Sequence, residues 1–154
     1  MHIYQNQQNE MRSVMSLAEL QDDQIDELVS RAIAARDQAY APHSHFYVGA
    51  AILLFDGRIQ VGCNVENASY SLTLCAERVA ASSAVAAGYR HWQAIAIASV
   101  GGGTPCGACR QFLAEFELDI PVIMVDVLDG SRRIVQLSKL LPDAFDGSNL
   151  PSHA

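Results

Sequence analysis

Three cysteines and one glutamate have the residue types and the spacing of a metal-dependent catalytic site. Cys75 stands two residues before Glu77, and a Cys-x-x-Cys pair, Cys106 and Cys109, follows directly after Pro105. Three thiolates can hold one Zn²⁺ and leave the fourth corner of its tetrahedron open for water, whereas a structural zinc site closes with four protein ligands. We therefore predict a catalytic zinc site with Cys75, Cys106 and Cys109 as its ligands.

Glu77 and Arg78 follow the first of these cysteines and have predicted supporting roles. We expect Glu77 to move protons between the attacking water, a ring nitrogen of the substrate and the departing amine. We expect Arg78 to donate hydrogen bonds to a ligand thiolate, because three thiolates carry more negative charge than Zn²⁺ neutralises. The plainer alternatives are a solvent-exposed helical glutamate and a surface ion pair.

The elements that must position these residues alternate between helices and strands. Asp56-Gly57 between two β-prone runs predicts a hairpin, and Gly88 is placed to end a helix that starts at Cys75. The predicted helices are residues 22–40, 75–87 and 106–116, and the predicted strands are residues 48–55, 58–64, 94–100, 121–127 and 132–136. This order predicts an α/β protein with a mixed sheet, helices on its faces and both ligand groups at helix N-termini.

Length and charge limit the classes of function. With 154 residues, of which 50% are hydrophobic, the chain has the size of one compact domain. A net charge of -7 and a pI near 5.0 argue against a polynucleotide partner, because clustered Lys and Arg bind such partners. No apolar run approaches the ~20 residues that cross a membrane, and the first 20 residues do not resemble a signal peptide, so we expect a cytoplasmic protein.

The domain organisation is predicted to be simple. Residues 1–20 show little periodicity and are expected to form a mobile N-terminal extension, residues 21–147 the catalytic domain and residues 148–154 a C-terminal tail. A reducing compartment favours metal ligation over disulfides for the cysteines. Cys63, in an apolar strand, is predicted to be a small buried side chain and not a zinc ligand.

The chain resembles the small, homotetrameric type of cytidine deaminase over nearly all of residues 20–145. The resemblance is carried by the segments YAPHSHFYVGAAILLFDGRIQVGCNVENASY, CAERVAASSAVAAGY, AIAIAS, PCGACRQFLAEF and LLPDAF. Cys-x-Glu followed by Pro-Cys-x-x-Cys is the three-cysteine form of a zinc-deaminase signature. The resemblance implies a three-layer α-β-α sandwich around a five-stranded mixed sheet, one Zn²⁺ per chain and a homotetramer, with a homodimer as the alternative.

The resemblance also implies which residues bind a nucleoside. The family's Asn-x-Glu motif is here Asn64-Val65-Glu66, and the side chains of Asn64 and Glu66 are expected to bind the ribose hydroxyls. Phe46 matches an aromatic residue that packs against the pyrimidine ring. A polar strand end and a buried core phenylalanine are the alternatives for these positions.

Two further parts of the binding site are implied in the same way. The Ala76 backbone and the Glu77 side chain match groups that hold the base. Phe145 matches a C-terminal aromatic that closes over the site of a neighbouring subunit, with an intrachain packing role as the alternative.

The implied function is hydrolytic deamination of cytidine and 2′-deoxycytidine to uridine and 2′-deoxyuridine with release of ammonia, as in pyrimidine salvage. The alternatives are an aminohydrolase for a modified cytosine nucleoside, such as a blasticidin-type antibiotic, and a non-catalytic zinc-stabilised domain. Asn64 and Glu66 favour an ordinary ribose, and Glu77 opposes a non-catalytic domain. His43 and Tyr47 replace a frequent Tyr and Pro of the family, so the rim of the pocket is expected to differ.

Overall fold

The structure is a computed structural model that describes residues 20–150. Its strands are β1 (Gly49–Leu54), β2 (Ile59–Cys63), β3 (Trp92–Ser99), β4 (Pro121–Asp126) and β5 (Arg132–Gln136). Its α-helices are α1 (Asp22–Arg36), α2 (Ala76–Ala86), α3 (Gly107–Ala114) and α4 (Leu137–Leu140), with short 3₁₀ helices at Tyr70–Leu72 and Gly147–Asn149. Most of the predicted N-terminal extension and residues 151–154 of the predicted tail lie outside the described residues.

The five strands form one mixed sheet in the order β2-β1-β3-β4-β5. Strand β1 pairs antiparallel with β2 and with β3, β3 and β4 are parallel, and β5 is antiparallel to β4. The hairpin between β1 and β2 turns at Asp56-Gly57, where Gly57 has a φ of 83° that glycine adopts without strain. The predicted mixed sheet and its opening hairpin are confirmed.

Helices cover both faces of this sheet. Every position of β1 is buried, and its successive side chains point to opposite faces. On one face Leu53 packs in an apolar cluster with Leu28 of α1. On the other face Ile52 packs in a second cluster with Ala80 of α2 and Leu113 of α3. The predicted three-layer α-β-α sandwich is therefore confirmed.

Two glycines let the helices lie directly against the hairpin. A Cβ atom at Gly49 would lie 2.0 Å from the carbonyl oxygen of Ala32 in α1, and one at Gly62 would lie 2.3 Å from the nitrogen of Ala80 in α2. Real Cβ atoms essentially never come so close, so only glycine allows these approaches. The contact at Gly62 matters for function because α2 begins directly after Cys75.

The first helix ends earlier than predicted. We predicted a helix over residues 22–40, but α1 ends at Arg36 and the next three N–H groups bond only three residues back. Tyr40 then donates its N–H to the Asn64 carbonyl at 3.0 Å and accepts the Glu66 N–H at 2.8 Å. Pairing with the chain after β2 thus replaces the last helical turn.

Other boundaries differ by one or two residues, and some short elements were not predicted. Strand β3 begins at Trp92, two residues before the predicted start. The four-residue α4 and the two 3₁₀ helices are too short to show a helical period in the sequence. Helix α1 has 15 residues, and no helix within residues 20–150 is long and apolar enough to cross a membrane.

Candidate active site

The three predicted zinc ligands meet where two helices begin. Cys75 is the N-cap of α2, Cys106 is the N-cap of α3, and Cys109 lies in the first turn of α3. The three sulfur atoms lie within 4.8 Å of one another, with Cys75 Sγ and Cys106 Sγ 3.9 Å apart. Within residues 20–150 they form the one group of side chains arranged to bind a metal ion, and Cys63 lies outside it. The sequence correctly predicted that both ligand groups lie at helix N-termini.

The spacing and the ionisation of these thiols fit Zn²⁺. Zn–S bonds of ~2.3 Å in a tetrahedron place two sulfur atoms about 3.8 Å apart. A hydrogen bond from Cys109, with others from Arg78 and Cys106, lowers the pKa of Cys75 to about 5. The hydrogen bond that Cys109 shares with Cys75, together with burial, raises the pKa of Cys109, because its proton is held between two sulfur atoms. One thiolate therefore forms readily, and the remaining protons leave when a cation takes their place.

Arg78 lies beside Cys75. Its Nη2 atom donates to Cys75 Sγ at 3.7 Å and to the carbonyl oxygen of Thr73 at 3.1 Å. The hydrogen bond to Cys75 raises the pKa of Arg78, so its positive charge is held next to the thiolate. The guanidinium therefore offsets part of the thiolate charge and ties down the backbone just before this ligand.

Glu77 is a buried carboxyl group on the wall of the cavity that Cys75 and Cys106 border. Its side chain is in the first turn of α2, and the residue is 5% exposed. Burial raises its pKa, and the negative charge of Cys75 raises it further. A carboxyl group with a raised pKa is better matched to accepting and returning protons near neutral pH than an ordinary surface glutamate.

A cavity of about 280 Å³ opens in front of the cysteines. This volume lies near the lower end of the roughly 300–1,000 Å³ of small-molecule sites, which suits a small ligand. The lining comes from the loop before β1, the chain after β2, the start of α2, the end of β3 and the loop before α3. The lining residues are Ser44, Phe46, Val48, Asn64, Glu66, Thr73, Leu74, Cys75, Ala76, Glu77, Ile97, Ser99, Gly103, Thr104 and Cys106.

Asn64 lines the cavity and also holds the loop formed by residues 41–48. Its Oδ1 accepts the N–H of Val48 at 2.9 Å, and its Nδ2 donates to the carbonyl oxygen of Phe46 at 2.8 Å. The residue is buried. One N–H and one lone pair of the side-chain amide are left for a ligand.

Glu66 holds the first half of the same 41–48 loop, whereas Asn64 holds its second half. Its carboxylate accepts the N–H of His43 at 2.8 Å, the N–H of Ser44 at 3.2 Å and the hydroxyl of Ser44. These hydrogen bonds, the one from the Ser44 hydroxyl first among them, hold the pKa of Glu66 below its ordinary value. Glu66 is therefore an ionised acceptor at neutral pH.

The other predicted binding residues divide into two groups. Phe46 and Ala76 line the cavity, and Phe46 is 46% exposed, so it is not a core side chain. Val65 and Phe145 are not among the described residues that line it. Val65 instead pairs its backbone with Leu74, and Phe145 is 59% exposed, with its carbonyl oxygen accepting a hydrogen bond from Gln111.

Two serines of the cavity were not predicted from the sequence. Ser44 donates to Glu66, and its Oγ also accepts the N–H of Phe46 at 3.0 Å. Ser99 is buried at the end of β3, and its Oγ accepts the N–H of Gly103 at 2.9 Å. Both lie in segments that carry the resemblance, but nothing in the spacing of a lone serine indicates that it shapes a cavity.

Three convergent cysteines are fitted to Zn²⁺, and two of them line a cavity that a buried carboxyl group also lines. This arrangement defines the class of zinc-binding enzymes with an open metal position. The sequence profile of the cytidine and deoxycytidylate deaminase zinc-binding region matches residues 22–125. The chain therefore belongs to the cytidine and deoxycytidylate deaminase family, as the resemblance predicted.

Similar proteins are found among curated sequences and among solved structures. The chain is 45% identical over 129 residues to the cytidine deaminase of Sporosarcina psychrophila, covering 82% of this chain and 94% of that protein. The crystal structure of cytidine deaminase from Burkholderia pseudomallei superposes with a TM-score of 0.75 at 48% identity, covering 78% of this chain and 98% of that one. The cytidine deaminase structure from Mycobacterium tuberculosis gives a TM-score of 0.68 at 41% identity, with coverage of 79% and 96%.

Proposed function

We propose that this protein catalyses the hydrolytic deamination of cytidine and 2′-deoxycytidine to the uridine products with release of ammonia. The observation that carries the proposal is the buried Glu77 carboxyl group on the wall of the cavity that Cys75 and Cys106 border. A non-catalytic zinc domain has no need of a buried carboxyl group facing an open cavity. The family relationship supports a cytosine nucleoside as the substrate.

Glu77 carries the proton transfers in the proposed reaction. A bound Zn²⁺ would supply Lewis-acid activation of the attacking water. Glu77 accepts one proton from that water and delivers it to the ring nitrogen N3 while the oxygen adds to C4. Glu77 then takes the remaining proton from the hydroxyl group now on C4 and passes it to the amino group, so that the C4–N bond breaks, the C4 carbonyl forms and ammonia leaves. The raised pKa of Glu77 suits a group that must hold each proton briefly.

The nucleoside is held by the residues on the opposite side of the cavity. In the proposal, Asn64 and Glu66 bind the ribose hydroxyls, Phe46 packs on the pyrimidine ring, and the Ala76 backbone contacts the base. Asn64 retains a free N–H and Glu66 remains ionised, so the pair can satisfy a hydroxyl group that both donates and accepts. A 3′-hydroxyl bound to Glu66 leaves no room for a following phosphate, which disfavours a polynucleotide substrate.

We further propose a cytoplasmic homotetramer that acts in pyrimidine salvage. Exposed apolar side chains support an assembly, since Tyr70 is 76% exposed, Leu72 62% and Phe145 59%. In this arrangement Phe145 closes over the site of a neighbouring subunit. The catalytic domain was predicted to cover residues 21–147. Because the Leu20 side chain packs in the apolar cluster on the α1 face, we propose that the domain begins at residue 20.

The proposed function is tested by Glu77→Gln, which removes the proton carrier at nearly constant size. We expect stoichiometric zinc and an unchanged melting temperature, with turnover of cytidine reduced about 10²- to 10⁴-fold in an ultraviolet assay. Glu115→Gln, an equal loss of charge on the exposed end of α3, serves as the control and should retain full turnover. Full turnover by Glu77→Gln would remove Glu77 from the mechanism.

A further inference from the structure

We propose that Arg110 is a positioning residue that fixes the Cys106 thiolate for zinc binding by clamping the backbone that carries it. Arg110 is not among the residues that line the cavity, so it acts through Cys106 and not on the substrate. The inference rests on the proposed zinc-dependent function and extends it to a residue that neither binds the metal nor touches the nucleoside.

Arg110 makes hydrogen bonds to the chain on both sides of the Cys106 Cα atom. Its Nε donates to the carbonyl oxygen of Pro105 at 2.7 Å, and its Nη2 donates to Thr104 Oγ1 at 3.4 Å. Its backbone N–H donates to the carbonyl oxygen of Cys106 at 3.0 Å. The Arg110 side chain therefore holds the Pro105 carbonyl group, and its backbone holds the Cys106 carbonyl group. Together these bonds set the peptide planes on either side of the Cys106 Cα atom.

Cys106 needs such a clamp more than the other two ligands do. It is the exposed ligand, whereas Cys109 is fully buried in the helix packing and Cys75 is half-buried beside Arg78. Cys106 also occupies the N-cap of α3 with no side-chain capping hydrogen bond. Its thiol contacts the Cys75 thiol, which is itself a ligand, so the position of the Cys106 backbone has to keep the thiol where the metal binds.

The far side of the Arg110 guanidinium anchors the clamp to the rest of the domain. Nη1 donates to the carbonyl oxygen of Leu140, the last residue of α4, at 2.8 Å. The planar guanidinium can therefore bridge the ligand loop and α4 at fixed angles, which the single ammonium group of lysine cannot do. A ligand loop tied to a neighbouring helix resists the opening that releases a metal ion.

The same arrangement occurs at the other ligand helix. Arg78 in the first turn of α2 donates back to the carbonyl oxygen of Thr73, two residues before Cys75. Arg110 in α3 donates back to the carbonyl oxygen of Pro105, one residue before Cys106. Arg78 also touches its ligand sulfur, whereas the Arg110 hydrogen bonds go to the chain on either side of its ligand.

The test compares zinc affinity and ligand geometry in three variants. Arg110→Ala removes the side-chain hydrogen bonds of the clamp and keeps the backbone one. Gln111→Ala removes the neighbouring hydrogen bond to Phe145 without touching the ligand loop, and Arg133→Ala removes an equal charge on the exposed strand β5. Zinc affinity is measured by chelator competition, and ligand geometry by the sulfur-to-metal charge-transfer absorption of the Co²⁺-substituted protein. Cys106→Ala shows how much zinc affinity is lost when a ligand itself is absent.

We expect Arg110→Ala to bind zinc about 10- to 100-fold more weakly and to show an altered Co²⁺ spectrum, as loss of groups that orient metal ligands generally does. Guanidinium added to Arg110→Ala should restore part of the affinity, and Arg110→Lys, whose ammonium group can bond to only one side of the bridge, should restore a smaller part. Gln111→Ala and Arg133→Ala should bind zinc as the unmodified protein does.

Two results would overturn the inference. One is an unchanged zinc affinity and Co²⁺ spectrum in Arg110→Ala, even if its melting temperature falls. The other is a loss of affinity that neither guanidinium nor Arg110→Lys restores, because that result would indicate general destabilisation. If the unmodified protein bound no zinc, the proposed function itself would fail, which is a separate outcome of the same titration.

Discussion

At the residue scale, the side chains proposed to meet the nucleoside also hold the protein's own backbone. Asn64 bonds to Phe46 and Val48, and Glu66 bonds to His43 and Ser44, so both residues fasten the 41–48 loop that carries Phe46. A substitution at either position therefore removes a ligand contact and loosens the loop at the same time. Its effect on substrate binding should exceed that of one lost hydrogen bond.

Glu66→Gln should raise the KM for cytidine at least about 10- to 100-fold, since one hydrogen bond to a charged group contributes roughly 1.5–3 kcal/mol and the loosened loop adds to this loss. The kcat should change less, because Glu77 and the cysteines are untouched. Asp129→Asn, an equal loss of charge in the turn between β4 and β5, is the control and should leave the KM unchanged. Steady-state kinetics would contradict the assignment if the two variants behaved alike.

The pH dependence of substrate binding follows from the lowered pKa of Glu66. Because its pKa lies below the ordinary value of 4.5, its hydrogen bonds to the loop are present at higher pH and are lost as the pH falls through the lowered value. We therefore expect no ionisation of Glu66 in the profile of kcat/KM between about pH 5 and pH 9. An inflection in that range that Glu66→Gln abolishes would show that the carboxylate is not held as described.

At the element scale, the position of α2 depends on the absence of a side chain at Gly62 in β2. A Cβ atom there would lie 2.3 Å from the nitrogen of Ala80 and 2.7 Å from the carbonyl oxygen of Ala76. These are backbone atoms of α2, so the whole helix would have to move, and with it the N-terminus that carries Cys75 and Glu77.

Gly62→Ala should lower the free energy of unfolding by about 1–3 kcal/mol, the usual cost of overpacking, and should weaken zinc binding as α2 shifts. Gly147→Ala is a matched control, because a Cβ there would meet nothing within 4 Å and should leave stability nearly unchanged. Denaturant unfolding with zinc analysis of both variants measures the effect. Equal stability of the two variants would mean that β2 and α2 can separate at little cost.

Local signals in the sequence predicted most elements but not their tertiary adjustments. Asp56-Gly57 and the alternation of strands and helices were sufficient to predict the hairpin and the sheet. The spacing of the cysteines was sufficient to predict that they meet at the starts of α2 and α3. The predicted end of α1 was wrong because Tyr40 pairs with the chain after β2, and no local sequence pattern indicates this pairing. The hydrogen bonds of Asn64 and Arg110 to carbonyl groups distant in the sequence were not predicted for the same reason.

At the scale of the whole molecule, the exposed Phe145 allows a test of the proposed assembly. If Phe145 closes a neighbouring site, subunits carrying Phe145→Ala and subunits carrying Glu77→Gln should regain activity when they are mixed and reassembled. The Phe145→Ala subunit then keeps Glu77 and receives Phe145 from its neighbour. Light scattering should give four times the chain mass of 16.7 kDa.

Mixed assemblies with no more activity than the sum of the separate variants would indicate that Phe145 packs within its own chain. A mass of two chains would favour the homodimer. Neither result would alter the roles proposed for Glu77 and the zinc ligands, because these lie within one domain.

The hydrogen bonds that hold the 41–48 loop in the free protein have a consequence for the thermodynamics of binding. The conformational entropy of this loop is lost when the chain folds, so little of it remains to be lost when a nucleoside enters. Rigid cytosine analogues should therefore gain affinity in proportion to the contacts they make, with no added penalty for ordering the protein. Association should be fast, because no segment of the 41–48 loop has to fold around the arriving ligand.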